Sequence, residues 1–355
     1  MNWLQRRVRP EQIRELSLLL LIIAAVAIFG WLIPHYYTPR TFDRIAESVT
    51  IIAIVGIGQT LVVLTRNIDL SIGSIVGFTA YFTGTFIASN HGINPFAAVL
   101  VAMAMGAVMG AINGLLVAWA RVPSIIVTLG TLAIYRGMLV DLSGARTITS
   151  DSLPDWLLNL AHLNLLTIGM VRIGALFTIA LSMVVIFQIG STYLRVGRCI
   201  YAIGSNPDAA LLIGLPFRRL VFLVFVTSGV LSGLSGFVTL ARFGNVTVEA
   251  GRGLELEVVA AVVVGGVNIF GGSGTVIGAT LGAIMLGILE QSLLRLQISE
   301  FWRDALLGLL ILLAVASDAV ILQRLRALWS RAELKVATGM PPPPVPETEK
   351  GVTNP

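Results

Sequence analysis

Ten stretches of mostly apolar residues follow one another along the chain, separated by short polar or basic breaks. They run Leu16–Ile33, Glu47–Thr65, Leu70–Ala88, Pro95–Ala120, Ser124–Leu142, Met170–Ile189, Leu220–Ala241, Leu254–Ile269, Thr275–Leu296 and Trp302–Leu322. A helix needs about 20 apolar residues to cross the hydrocarbon core of a bilayer, so each stretch reads as one crossing. The eighth is short, and the break before the ninth, "GGVNIFGGSG", is glycine-rich. A count of eight or nine full spans with broken pieces therefore stays open beside the count of ten. The pattern predicts an all-α, polytopic membrane bundle over residues 16–325. A basic segment over residues 1–15 precedes it. The first apolar run is longer than the roughly 7–15 residues of a signal peptide's apolar region, and no A-x-A site follows it, so it reads as a retained span.

Composition strengthens this reading. Of 355 residues, 56% are hydrophobic and only 12% charged, against about 25% charged in a soluble domain. The 36 glycines fit a bundle whose helices approach closely. The net charge of +5 does not signal nucleic acid, because the arginines fall at the ends of apolar runs. There they orient spans. Arg6, Arg7, Arg9 and Arg14, then Arg66, Arg121, the Arg195/Arg198/Arg218/Arg219 loop and the Arg324/Arg326/Arg331 segment all fall on one side if ten spans alternate. That side is expected to be cytoplasmic, with both termini on it. Arg40, Arg44, Arg146 and Arg172 are the exceptions outside. The last residues, 332–355, are Pro-rich and polar and are expected to be a disordered tail. The longest outside loop, Ser143 to Gly169, contains "DSLPDWLLNL", which reads as a short interfacial helix anchored by Trp156.

Two pairs of stretches resemble each other. "RNIDLSIGS" from Arg66 matches "RGLELEVVA" from Arg252, and "GAVMGAING" from Gly106 matches "GATLGAIML" from Gly278. Five spans separate each pair, the offset of an inverted five-plus-five repeat. General reuse of Gly and Ala in membrane helices explains the matches equally well. In either case Gly106, Gly110 and Gly114, and Gly278 and Gly282, form small-xxx-small runs suited to close helix packing.

Chemistry is sparse. The three histidines, His35, His91 and His162, lie far apart in sequence and near the outer surface, and one cysteine, Cys199, excludes an internal disulfide and a multi-Cys metal site. "GLSG" at Gly233–Gly236 superficially matches an intramembrane serine protease motif, but no base is placed for Ser235. The only lysines are Lys335 and Lys350, neither after a glycine, so the chain has no P-loop. A transporter built from it uses an ion gradient or borrows an ATPase. The ionisable and polar residues nearest the spans are Asn67, Asp69, Arg136, Glu255 and Glu290, candidates for a translocation path or gate. Arg136 could pair with Asp141, and Asp69 or Ser71 could cap the third span.

"YAIGSNPDAALLIGL", Tyr201–Leu215, lies in the inside loop 190–219 and reads as a short helix. Asn206 is the N-cap, Pro207 the first helical residue, Asp208 an acid in the first turn, with Gly214 and Pro216 as stops. A helix this short needs a partner surface. The stretch resembles the cytoplasmic coupling loop of ABC-importer permeases, Gly-x-Asn-x-x-Ala-Ala-x-x-x-Gly-Ile, through Gly204, Asn206, Ala209, Ala210 and Gly214, with Leu215 for the final Ile. "NIDLSIGS" is similar to the Gly-Ile-Asp-Leu-Ser-Val-Gly-Ser signature of the same family, with Asn67 for the first Gly. "TLGTLAIYRG", Thr128–Gly137, and "GGVNIFGGSGTVIGATLGA", Gly265–Ala283, resemble its spans as well. The resemblance covers about residues 15 to 325 and points to permeases of monosaccharide ABC importers, the ribose, xylose, arabinose and galactose type that includes autoinducer-2 and rhamnose systems. It implies a ten-span fold similar to vitamin B12-type permeases, two permeases around a central path, and two ATPases on the coupling loops. It also implies a soluble periplasmic protein that delivers the sugar. ATP and Mg then belong to the partner ATPase, this chain binds no cofactor, and the coupling loop is expected to move its flanking spans.

Overall fold

The computed structural model describes residues 10–90, 92–168 and 171–299 and six further helical positions up to Leu312, with side chains from Arg14 onward except at residues 168, 171 and 172. The expected tenth span falls almost wholly outside the described residues, as do residues 1–9, His91 and the Pro-rich tail. Among the described residues, eight helices are long and apolar enough to cross a membrane. They are α1 (Pro10–Leu32), α2 (Pro39–Leu64), α3 (Ile72–Ser89), α4 (Pro95–Ala118), α5 (Ser124–Ser143), α7 (Ala175–Tyr193), α10 (Phe217–Phe243) and α12 (Val276–Arg295). Between them lie the short α6 (Asp155–His162), α8 (Arg195–Ser205), α9 (Pro207–Leu212) and α11 (Leu254–Val264). A polytopic all-α bundle is what the apolar pattern demanded.

Three boundaries differ from the sequence reading, each for a local reason. Span two starts at Pro39, not Glu47, because Pro39 stands at the helix's first positions and the turns after it are amphipathic, with Arg40, Asp43 and Arg44 on them. The sixth span starts at Ala175, not Met170. Ahead of it, β1 (Asn164–Ile168) and β2 (Val171–Gly174) pair antiparallel as a small hairpin. The eighth stretch is helical only over α11. It stops at Val264, not Ile269, because Gly266 takes a positive φ of 92°, which no helix accepts.

α2 is the central element. Every residue from Ser48 to Leu64 is buried, with α7, α10, α11 and α12 around it. The outer helices α1, α4, α5 and α7 instead expose apolar side chains such as Leu20, Phe96, Ile126 and Ile186, the arrangement a lipid solvent permits. Glycines set the tightest contact. A Cβ on Gly106 would strike Gly229 O and lie 2.9 Å from the Gly233 Cα, and one on Gly110 would lie 2.9 Å from the Gly229 Cα. Gly114 meets Phe222 and Phe225, so α4 and α10 touch backbone to backbone. In the second small-residue run, Gly278 meets Gly265 O, and a Cβ on Gly282 would strike Ala261 O. α12 lies against α11 in the same manner.

Candidate coupling and gating site

The ends of the long helices gather on two faces, with α10 and α12 running the same way, both starting beside α8–α9 and ending near the start of α2. One face carries α8 and α9. Asn206 separates them with extended backbone, and its Oδ1 accepts from the Ala209 N–H at 3.0 Å. Pro207 follows at the first helical position and Asp208 in the first turn. Gly214, at φ 77°, then turns the chain, with Gly214 N–H donating to Leu211 O and Leu215 N–H to Ala210 O, both at 3.0 Å. Ala210 is buried and Ala209 exposed. The tip of this helix is apolar and bare: Leu212 is 88% and Ile213 74% exposed.

α8 is fixed to the body at several points. Arg66 reaches across from the end of α2, donating from Nε to Gly204 O at 2.6 Å and from Nη2 to Ser205 O at 2.8 Å. Gly204 lies so close to α2 that an added Cβ would fall on Leu64 O and stand 2.7 Å from Gly272 N. The Gly272 N–H itself donates to Leu64 O at 3.0 Å, and Tyr201 Oη donates to Gly274 O at 2.8 Å. Besides its flanking spans, the loop is therefore held by the end of α2 and by the glycine-rich turn before α12. Arg66 and that turn carried no such signal in the sequence.

Residues 65–71 continue from Arg66 without helix. Asn67 donates from Nδ2 to Thr65 O at 2.9 Å. Asp69, fully buried, accepts at Oδ1 from Ser71 N–H at 2.9 Å and from Ser71 Oγ at 2.7 Å. Ser71 makes no side-chain cap bond to α3, so the carboxylate organises the turn before the helix instead of capping it. Asn113 donates from Nδ2 to Ser71 Oγ at 2.7 Å, and Tyr135 Oη donates to Met109 O at 2.9 Å. Asn113 lies in α4 about 8 Å from that helix's end by helical rise. This unwound segment consequently lies alongside α4 and not beyond its end.

A second unwound segment, 244–253, meets it. Val246 pairs with Ile148 on the opposite face, and the chain then descends. Gly251 packs on Gly73, Ala250 O packs on Gly77, and Glu255 Oε2 lies where a Gly73 side chain would stand. Arg136 does not turn to Asp141. Its Nη1 donates to Val248 O at 3.1 Å and Ala250 O at 2.7 Å, satisfying carbonyls that no helix satisfies. Glu255 stands in the first turn of α11, where the helix dipole favours an acid, and its buried Oε2 has no hydrogen-bond partner. The two stretches that resemble each other in sequence thus touch in space, each unwound just before an acidic residue. Glu290 is not with them: its charge acts on Arg242, near Glu47.

A family model described as "Branched-chain amino acid transport system / permease component" matches residues 41–315. Similar curated proteins include autoinducer 2 import system permease protein LsrC of Yersinia pestis (strain Pestoides F) and of Yersinia pseudotuberculosis serotype O:3 (strain YPIII). Each is 38% identical over 305 residues, covering 86% of this chain and 84% of the relative. The matched region contains α3, α4, α5, α7, α10 and α12 entire and α2 but for its first two residues, together with the coupling element and both unwound segments. The chain belongs to the permease-component family of branched-chain amino acid transport systems.

Proposed function

We propose that this chain is the transmembrane subunit of an ATP-binding cassette importer of the bacterial inner membrane, carrying a small sugar-like solute. The α8–α9 face is cytoplasmic, and both termini lie on that side. Two permeases, identical or sister chains, enclose the path. ATPase subunits, which use ATP and Mg, dock at α9, and a soluble periplasmic binding protein brings the solute to the opposite face. The autoinducer-2 permeases among the relatives support a small polyol-like cargo.

One observation carries the reading: the bare Leu212–Ile213 tip on a segment anchored to the body. Apolar side chains this exposed outside the bilayer mark a contact with another protein. A push on α9 passes through α8 to Arg66, and from there into the segment containing Asn67 and Asp69. That segment abuts residues 250–255, which Arg136 holds. Asn67, Asp69, Arg136 and Glu255 therefore serve as the gate, and Glu290 acts separately.

The test is purification of the tagged chain in mild detergent, comparing wild type with Leu212→Asp/Ile213→Asp. A stoichiometric P-loop ATPase is expected with wild type and at least about tenfold less with the variant, since hot-spot apolar contacts cost about 2 kcal/mol or more each when lost. Equal recovery from both, or none from either, overturns the docking site.

A further inference from the structure

Away from α8–α9, at the opposite face, a cavity of about 250 Å³ opens between the start of α2, α6, the hairpin, α7 and the end of α10. Its lining includes Asp43 and Glu47 from α2, His162 from α6, Asn164 from β1, Phe177 from α7 and Arg242 from α10. The gate described above uses none of these.

The geometry points to a binding site for a small neutral polyol in this cavity, the first station for the solute on the permease. The inference rests on the importer reading. Four features support it. The volume lies below the roughly 300–1,000 Å³ of pockets for drug-sized ligands, so only a small solute fits. Two carboxylates, a guanidinium and an imidazole leave no dominant charge, which disfavours a lone ion. Asp43 and Asn164 bring a carboxylate and an amide to the lining, groups that accept from and donate to ligand hydroxyls. Phe177 adds an apolar wall for the C–H face of a ring, beside amide and carboxylate groups that take its hydroxyls.

Arg242 is oriented for this role. Its Nη1 donates to Glu47 O at 3.0 Å, and its Nε lies 3.6 Å from Glu47 Oε2. The pair ties α10 to α2 and holds one wall of the cavity in place. The position suits a solute arriving from the face away from the coupling segment.

The experiment uses the full permease–ATPase complex in lipid nanodiscs, without binding protein, and saturation-transfer NMR. D-ribose and L-rhamnose are the probes and cyclohexanol the control. Transfer to the sugar ring protons is expected for wild type. Asn164→Ala and Asp43→Asn are each expected to weaken it about tenfold, the loss of one hydrogen bond to a polar or charged group. Asn164 is exposed, so Asn164→Ala decides the matter if Asp43→Asn fails to fold. Absence of sugar signal, a signal equal to that of cyclohexanol, or one unchanged in Asn164→Ala overturns the site. The ATPase is scored in the same preparation. A complex that assembles without binding sugar rejects the cavity and leaves the importer reading intact.

Discussion

Gly204 and Ala209 look alike in the sequence motif, two small residues in one loop, but they occupy opposite situations. Gly204 is walled in by Leu64 O and Gly272 N, where a side chain has no room. Ala209 is exposed on α9. Gly204→Val is therefore expected to act within the chain, costing about 1–3 kcal/mol through overpacking and loosening the Arg66 bonds to Gly204 and Ser205. Ala209→Tyr is expected to leave thermal stability unchanged and to act only on the docked ATPase. Thermal unfolding of the purified permease, paired with ATP-driven uptake in vesicles, separates the two. A stable Gly204→Val chain with normal uptake would show that the clamp between α2 and α8 transmits nothing. The motif reveals that small residues are needed at both positions; which of them faces the fold and which faces a partner depends on α2 and residues 265–274, distant in sequence.

At the scale of elements, the long helices are legible because lipid imposes one rule on all of them: enough apolar residues to span, with polar punctuation between. The departures occur where other forces compete. Gly266, at positive φ, ends the eighth stretch early, and the hairpin takes the first residues expected of the sixth span. Partners of charged groups were harder to read. Asp141 is the nearest acid to Arg136 in sequence, yet the guanidinium goes to the carbonyls of Val248 and Ala250, more than a hundred residues away. An unwound backbone inside a bundle creates acceptors that sequence alone does not display. Removing the guanidinium leaves these half-buried carbonyls unpaired, at about 1 kcal/mol each. Arg136→Ala is thus expected to lower the melting temperature and abolish import, with Arg136→Lys recovering part of both. If Arg136→Ala transported normally, residues 247–253 would not be part of the gate.

Over the whole molecule, the two faces are built for different partners. The α8–α9 face offers an apolar tip with arginines in the flanking sequence, whereas the opposite face offers a cluster of arginines. There Arg40, Arg44 and Arg295 line a cavity of about 180 Å³ with Thr38, Thr41 and Gln291. Arg295 donates to Thr41 Oγ1 at 2.6 Å and to His35 O at 3.3 Å, which holds one guanidinium against the rim. Arg40 and Arg44 stand one turn apart at the positive end of α2, a like-charge arrangement that costs stability by itself. An acidic side chain from the delivering protein would offset that repulsion, and charge pairs of this kind govern encounter rates more than final affinity. Arg40→Glu with Arg44→Glu is accordingly expected to slow association of the soluble binding protein about tenfold at low salt. The deficit should shrink as salt rises and screens the exposed charges. Basal ATP hydrolysis, which depends on the other face, should stay unchanged. Surface-immobilised complex and a salt series measure the association rate directly. A double variant that binds as fast as wild type at low ionic strength would remove the arginine cavity from the delivery step and place docking elsewhere on this face.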